Sequence, residues 1–155
     1  MMTQYVTFRL DGALYGIEVN QVTEILRGED ITNVPLSPEA ITGLVNLRGQ
    51  IATLIDLRKQ LNLPPREDEE NTMMVVVVLD GETLSLMVDS IGDVREVDES
   101  DFEAPPDTLA PELRELILGA YKLSDDLLLV LDVERVVAIG QEARAAEKTK
   151  EAPVV

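Results

Sequence analysis

The chain has 155 residues, 45% hydrophobic but only 3% aromatic, with 30 acidic against 13 basic side chains and a formal net charge of −17. It contains neither cysteine nor histidine, which excludes disulfides, thiolate metal sites and cysteine nucleophiles and removes the commonest general base. The charge argues against nucleic acid, where affinity comes largely from Lys and Arg on phosphate, and against an anionic membrane surface. The longest apolar runs, Met73–Leu79 and Leu127–Leu131, fall far short of the ~20 residues a membrane span needs. No secretion signal opens the sequence, so a soluble, cytoplasmic protein is expected.

Val6, Phe8 and Leu10 alternate with Thr7 and Arg9, the two-residue period of a half-buried strand. Asp11-Gly12 is a turn signal, and Tyr15, Ile17 and Val19 alternate again, predicting a hairpin. Asn20 is placed to cap a short helix, on which Val19, Val22, Ile25 and Leu26 share one face and Glu24 lies near the first turn. Pro35 and Ser37-Pro38 mark a loop, and 44–57 reads as two strands reversing at Arg48-Gly49. Asp56 then caps a short helix carrying Leu57 and Leu61. Residues 62–72 join two prolines to a run of charge, which reads as a linker or exposed loop.

The second half repeats this programme. A strand over 73–79 leads through Asp80-Gly81 to a strand over 83–88 and a short segment at 89–94. Residues 95–112, acidic and proline-bearing, read as loop. A strand pair follows around 121–131, and Asp132 opens a helix with Val133, Val136 and Val137. Aligned without gaps, 75–88 matches 6–19 at an offset of 69, and 119–133 matches 43–57 at an offset of 76. Two copies suggest two similar small domains packed together, since a solenoid needs three or more units. The expected division is 1–67, 68–139 and a flexible tail over 140–155. Short strands with close turns favour small barrels, and a valine run such as Val75–Val78 suits a strand buried on both sides at their contact.

Carboxylates are the obvious place to look for chemistry, because Asp89, Asp93, Glu96, Asp98, Glu99, Asp101 and Glu103 crowd one stretch. Paired acids could support a hydrolase on a small barrel, but the spacing shows no convergent geometry and lacks the pattern of a calcium loop. A solvated acidic loop is the preferred reading. Asp56 and Asp132 recur at strand-to-helix junctions, where capping explains them better than catalysis. The copies differ at Asn46-Leu47-Arg48-Gly49, which becomes Lys122-Leu123-Ser124-Asp125. At a hairpin tip Arg48 either offers a planar fork to a partner or is an ordinary solvated turn residue, and spacing leaves both open. Val22 and Ile91 correspond in the repeat, so they flank one groove if the halves pack pseudo-symmetrically.

Tyr5–Leu10 followed by Tyr15–Val19 and Val22–Ile25, then Ile31–Pro35, Gly43–Ile51 and Ile55–Arg58, resembles the bacterial chemotaxis coupling (adaptor) protein family CheW. The Gly-x-x-Asn-Leu-Arg-Gly tract after the Tyr-Gly-Ile hairpin is the most specific part. The second half matches more loosely, and the resemblance covers about residues 4–138. It implies a mainly β fold of two SH3-like five-stranded β-barrels packed pseudo-symmetrically, with short helices and strands exchanged between the halves. It implies no catalysis, no cofactor and no metal. The implied partners are the regulatory domain of the chemotaxis histidine kinase and the cytoplasmic tip of methyl-accepting chemoreceptors, whose array the protein helps build. Flagellar and other motility pathways both fit. By resemblance the receptor's helical hairpin lies between the barrels, against Val19, Val22, Ile25 and Ile91 with Glu24 and Arg48 beside it, the turn supported by Gly43, Asn46, Leu47 and Gly49. Segment 95–108 departs from the family pattern, so kinase-facing residues are not assigned.

Overall fold

The structure, a computed structural model, describes residues 1–27, 32–35, 42–47, 49–61, 63–64 and 73–138. Among these the first half runs as β1 (Met2–Leu10), β2 (Ala13–Glu18), a 3₁₀ turn (Val19–Gln21), β3 (Val22–Arg27), β4 (Thr32–Pro35), β5 (Thr42–Leu47), β6 (Gln50–Asp56) and α1 (Leu57–Gln60). The second runs as β7 (Met73–Leu79), β8 (Glu82–Val88), β9 (Ser90–Asp98), a 3₁₀ turn (Glu99–Asp101), α2 (Pro111–Arg114), β10 (Ile117–Lys122), β11 (Leu127–Leu131) and a helical stretch, α3, over 133–138. The fold is mainly β, as expected, and its strands form two small SH3-like barrels. The segment 36–41, most of 62–72 and the tail 140–155 lie outside the described residues.

Neither barrel is built from one half of the chain. The first has the strand order β10-β11-β2-β1-β9 and the second β3-β7-β8-β6-β5-β4. The hairpin β1–β2 therefore sits among strands of the second half, and β7–β8 sits among strands of the first. Each hairpin turns on Asp-Gly with both residues at positive φ, 50° and 85° at Asp11-Gly12 and 51° and 81° at Asp80-Gly81. That left-handed pair is what a two-residue turn needs to match strand twist, and only Gly accepts its second position without strain.

The repeat extends to hydrogen-bond register. Val6 opposite Ile17 becomes Val75 opposite Leu86, and the parallel pair Thr53–Leu84 becomes Leu129–Tyr15. Glu103 bridges Ala120, the position equivalent to Val34 opposite Leu44 in the β4–β5 ladder. One barrel thus carries β4 as a sixth strand, while its counterpart is reduced to a single bridge. The connection after that bridge is seven residues longer in the second copy, as the two offsets require, and α2 occupies it.

Duplication also organises the core. One cluster takes Phe8, Leu10, Tyr15 and Ile17 from the first hairpin and Val75, Val77, Leu84 and Leu86 from the second, with Leu57, Leu61, Val133 and Val137 from the helices. Smaller clusters line the two barrels at equivalent positions: Tyr5, Leu128 and Val130 in one, Met74, Ala52 and Leu54 in the other. Val75 to Val77 are buried, as the valine run suggested, but Val78 at its end is 40% exposed, so burial stops one residue short. In the first barrel Phe102 packs on Tyr121, ring centroids 5.3 Å apart, over Gly119, where any Cβ would collide with the Phe102 ring and the Glu103 carbonyl.

Both helix caps form as expected. The Asp56 carboxylate accepts from the Lys59 amide at 3.4 Å, and Asp132 accepts from the Arg135 amide at 3.1 Å. Asp56→Ala and Asp132→Ala should each cost about 1 kcal/mol, with the larger loss at Asp132, whose bond is shorter. Urea denaturation of the two variants checks this, and an unchanged midpoint in both would contradict the capping role.

Two expectations need correction. No helix starts at Asn20. The chain makes one 3₁₀ turn there, without a side-chain cap, and enters β3. Val22, Thr23 and Ile25 are β-branched and suit a strand, and β3 gains a ladder with the valine-rich β7 that a short helix could not supply. Likewise 89–94 is no short segment and 95–98 is no loop, because β9 runs to Asp98 paired with β1. Its acids face water along an edge strand, so a polar composition concealed regular backbone.

Candidate functional site

Among the described residues the chain passes from one barrel to the other at two places, the 3₁₀ turn Val19–Gln21 and Asp89, between β8 and β9. These are repeat equivalents, Asn20 lying 69 residues before Asp89. Each crossing leads into an edge strand, β3 or β9, and those strands carry Val22, Glu24, Ile25 and Ile91.

Val22 opens β3 opposite Val77, and Ile91 lies near the start of β9 opposite Phe8. Both are half-buried and pack on the one central cluster. Val19 is 36% exposed at the first crossing, and Ile25 is 40% exposed on β3. Val22, Glu24 and Leu26 are partly covered while Thr23, Ile25 and Arg27 are exposed. Val22 and Ile25 therefore do not share a helical face as the spacing suggested: they lie on a strand with a register shift between them, Val22 packed on the central cluster and Ile25 exposed. Gly43, Asn46 and Leu47 lie in β5, opposite Leu54, Ile51 and Gln50, and Gly49 turns the hairpin at φ 89°. Arg48 lies outside the described residues.

Symmetry brings forward a residue that the sequence reading missed. Val94 is the repeat equivalent of Ile25 and is 55% exposed on β9. The available signal was the offset itself, which maps Val22, Glu24 and Ile25 onto Ile91, Asp93 and Val94. Both edge strands also bulge at equivalent points, after Val22 and after Ile91. On β9 the bulge is held by Thr7, whose hydroxyl donates to the Asp93 carbonyl at 2.5 Å. Such bulges re-aim side chains at sheet edges.

The acidic stretch has structural employment. Both oxygens of Asp89 accept from Arg58, at 2.7 Å from Nε and 2.5 Å from Nη2, so this carboxylate is poorly disposed to act as an acid or base. Bonding to Asp89 strengthens the hold of Arg58 on its proton, against a smaller opposing effect of burial. Asp98 accepts from the Ser100 amide and hydroxyl, which holds it below the usual carboxylate range. Among the described residues no three acidic side chains gather as metal ligands, and no helix is long and apolar enough to cross a membrane.

The sequence model of the CheW-like domain family matches residues 4–140. The chain is 33% identical over 132 residues to the chemotaxis protein CheW of Bacillus subtilis, covering 85% of each. It is 31% identical over 136 residues to the chemotaxis protein CheW of Treponema pallidum, covering 85% of this chain and 80% of that one. Among solved structures, the scaffolding protein TtCheW from Thermoanaerobacter tengcongensis superposes with a TM-score of 0.73 at 30% identity, over 86% of both chains.

Proposed function

The chain belongs to the CheW-like domain family, and on that premise we propose that it is a non-catalytic adaptor coupling membrane chemoreceptors to the chemotaxis histidine kinase. The observation that carries this reading is the paired crossing: Val22 and Ile91 rest at equivalent points of one core cluster, flanked by exposed Ile25 and Val94. Two edge strands related by pseudo-symmetry offer apolar side chains to a paired-helix partner such as a receptor's cytoplasmic tip, the helix-in-groove mode of recognition. Val19, Val22, Ile25, Ile91 and Val94 supply area, and Glu24 and Arg48 supply polar anchoring. The protein works in the cytoplasm, recruited to receptor arrays, and needs no cofactor for this role.

Reconstitution with the cognate kinase and a receptor signalling fragment tests the proposal. Kinase activity is expected to depend on the receptor fragment only when this protein is present. An equal response without it, or no binding to the kinase, overturns the reading. Arg48→Glu is expected to weaken receptor coupling by tenfold or more while leaving kinase affinity and melting temperature near their original values. Unfolding of that variant would assign Arg48 a purely structural part.

A further inference from the structure

The two crossings are equivalent in position but not in chemistry. At Val19–Gln21 the backbone turns with no side-chain cap. At Asp89 the passage is a single residue whose backbone and side chain are both tied. Its amide donates to the Arg9 carbonyl at 3.1 Å, and its carboxylate accepts from the Asp11 amide at 2.9 Å as well as from Arg58. Arg58 spends its remaining terminal nitrogen on the Pro64 carbonyl at 2.7 Å.

These bonds join parts of different barrels. Arg58 stands on α1, which continues β6 of the second barrel, while Asp11 is the hairpin turn of the first. Asp89 lies between them, two residues before Ile91. The Arg58 and Asp89 side chains are only 14% and 22% exposed, so solvent and salt screen the pair less than an open surface bridge. A bidentate guanidinium–carboxylate fork also fixes orientation as well as distance. The repeat does not reproduce it, since Asn20 and Glu134 stand where Asp89 and Arg58 would be.

We propose that Arg58 and Asp89 are positioning residues: a clasp on the Asp89 crossing, without an equivalent at the other among the described residues, which sets the angle between the barrels and holds the Ile91–Val94 side of the groove in place. Adjustment to a partner is then left to the other side, where the Val19–Gln21 turn leads into β3. The affinity part of this inference rests on the receptor-coupling role proposed above. The geometric part does not.

The absence of cysteine allows clean spin labelling through Arg27→Cys, at the end of β3, and Ser124→Cys, in the exposed β10–β11 turn. In this labelled protein Asp89→Asn is expected to broaden the inter-barrel distance distribution, and to weaken binding of a receptor signalling fragment about tenfold without altering kinase affinity. Arg58→Lys keeps the charge but loses the fork, so it should lie between; it carries both readouts if Asp89→Asn fails to fold. An unchanged distribution in a folded variant overturns the clasp. A broadened distribution with undiminished affinity overturns its positioning role. If the unmodified protein does not bind the fragment, the coupling reading falls, while the distance measurement still decides the clasp.

Discussion

Phe8→Ala is expected to destabilise the protein by about 3–5 kcal/mol and to melt both barrels in a single transition. Phe8 is fully buried, stacks on Tyr15 with ring centroids 5.9 Å apart, and lies opposite Ile91. Its cluster draws on both hairpins, and each hairpin is the centre of a sheet whose flanks come from the other half. A cavity there removes contacts from both barrels at once, and neither can detach with its own strands. At about 2–4 °C per kcal/mol for a chain of this size, the melting temperature should fall by roughly 6–20 °C. Calorimetry with a probe in each barrel checks this. Two separated transitions would show that the barrels are energetically independent despite their exchanged strands.

The second large effect concerns binding. Ile25→Asp should reduce affinity for a receptor signalling fragment by about thirtyfold, the scale of ~2 kcal/mol at which an interface residue counts as a hot spot. Because Ile25 is 40% exposed, the loss of stability should be limited to about 1 kcal/mol, the scale of exchanging a good strand former for a poor one. Kinase affinity should stay within twofold. Titration calorimetry against each partner separates these expectations, and undiminished receptor affinity would remove β3 from the proposed interface. Adding Val94→Asp on the other edge strand should deepen the loss, since both edges are proposed to face the same helices.

What could be read from sequence was local. The Asp-Gly turns and capping aspartates act over three or four residues, and each formed where its chemistry demanded. Alternating strands such as Val6–Leu10 were equally legible, because a two-residue period needs no knowledge of the rest of the chain. Val22–Leu26 misled because so short an apolar run fits both a helical and an extended period, and the deciding ladder with β7 lies some fifty residues away. Ser90–Asp98 misled because an edge strand exposed to water carries charges that composition alone assigns to loops. Of the candidate site, Val22 and Ile91 could be paired through the repeat, and Val94 could have been found the same way. The clasp could not, because it joins Arg58, Asp89 and Asp11 across folds of the chain that no local pattern records.

The parallel pairing of β2 with β11 has a consequence for synthesis on the ribosome. Leu14, Tyr15 and Gly16 find their partners at Leu128, Leu129 and Val130, so the first hairpin to emerge is among the last to be completed. The second barrel has all its strands once residue 88 has been made, whereas the first waits for residue 131. The outer edge of β1 has no partner until β9 ends at residue 98, and that of β2 has none until residue 131, the kind of exposed template that invites association with other chains. Contacts of such long sequence separation also slow folding. The architecture that makes the two barrels inseparable when finished leaves the amino-terminal hairpin unprotected for most of the time it takes to make the chain.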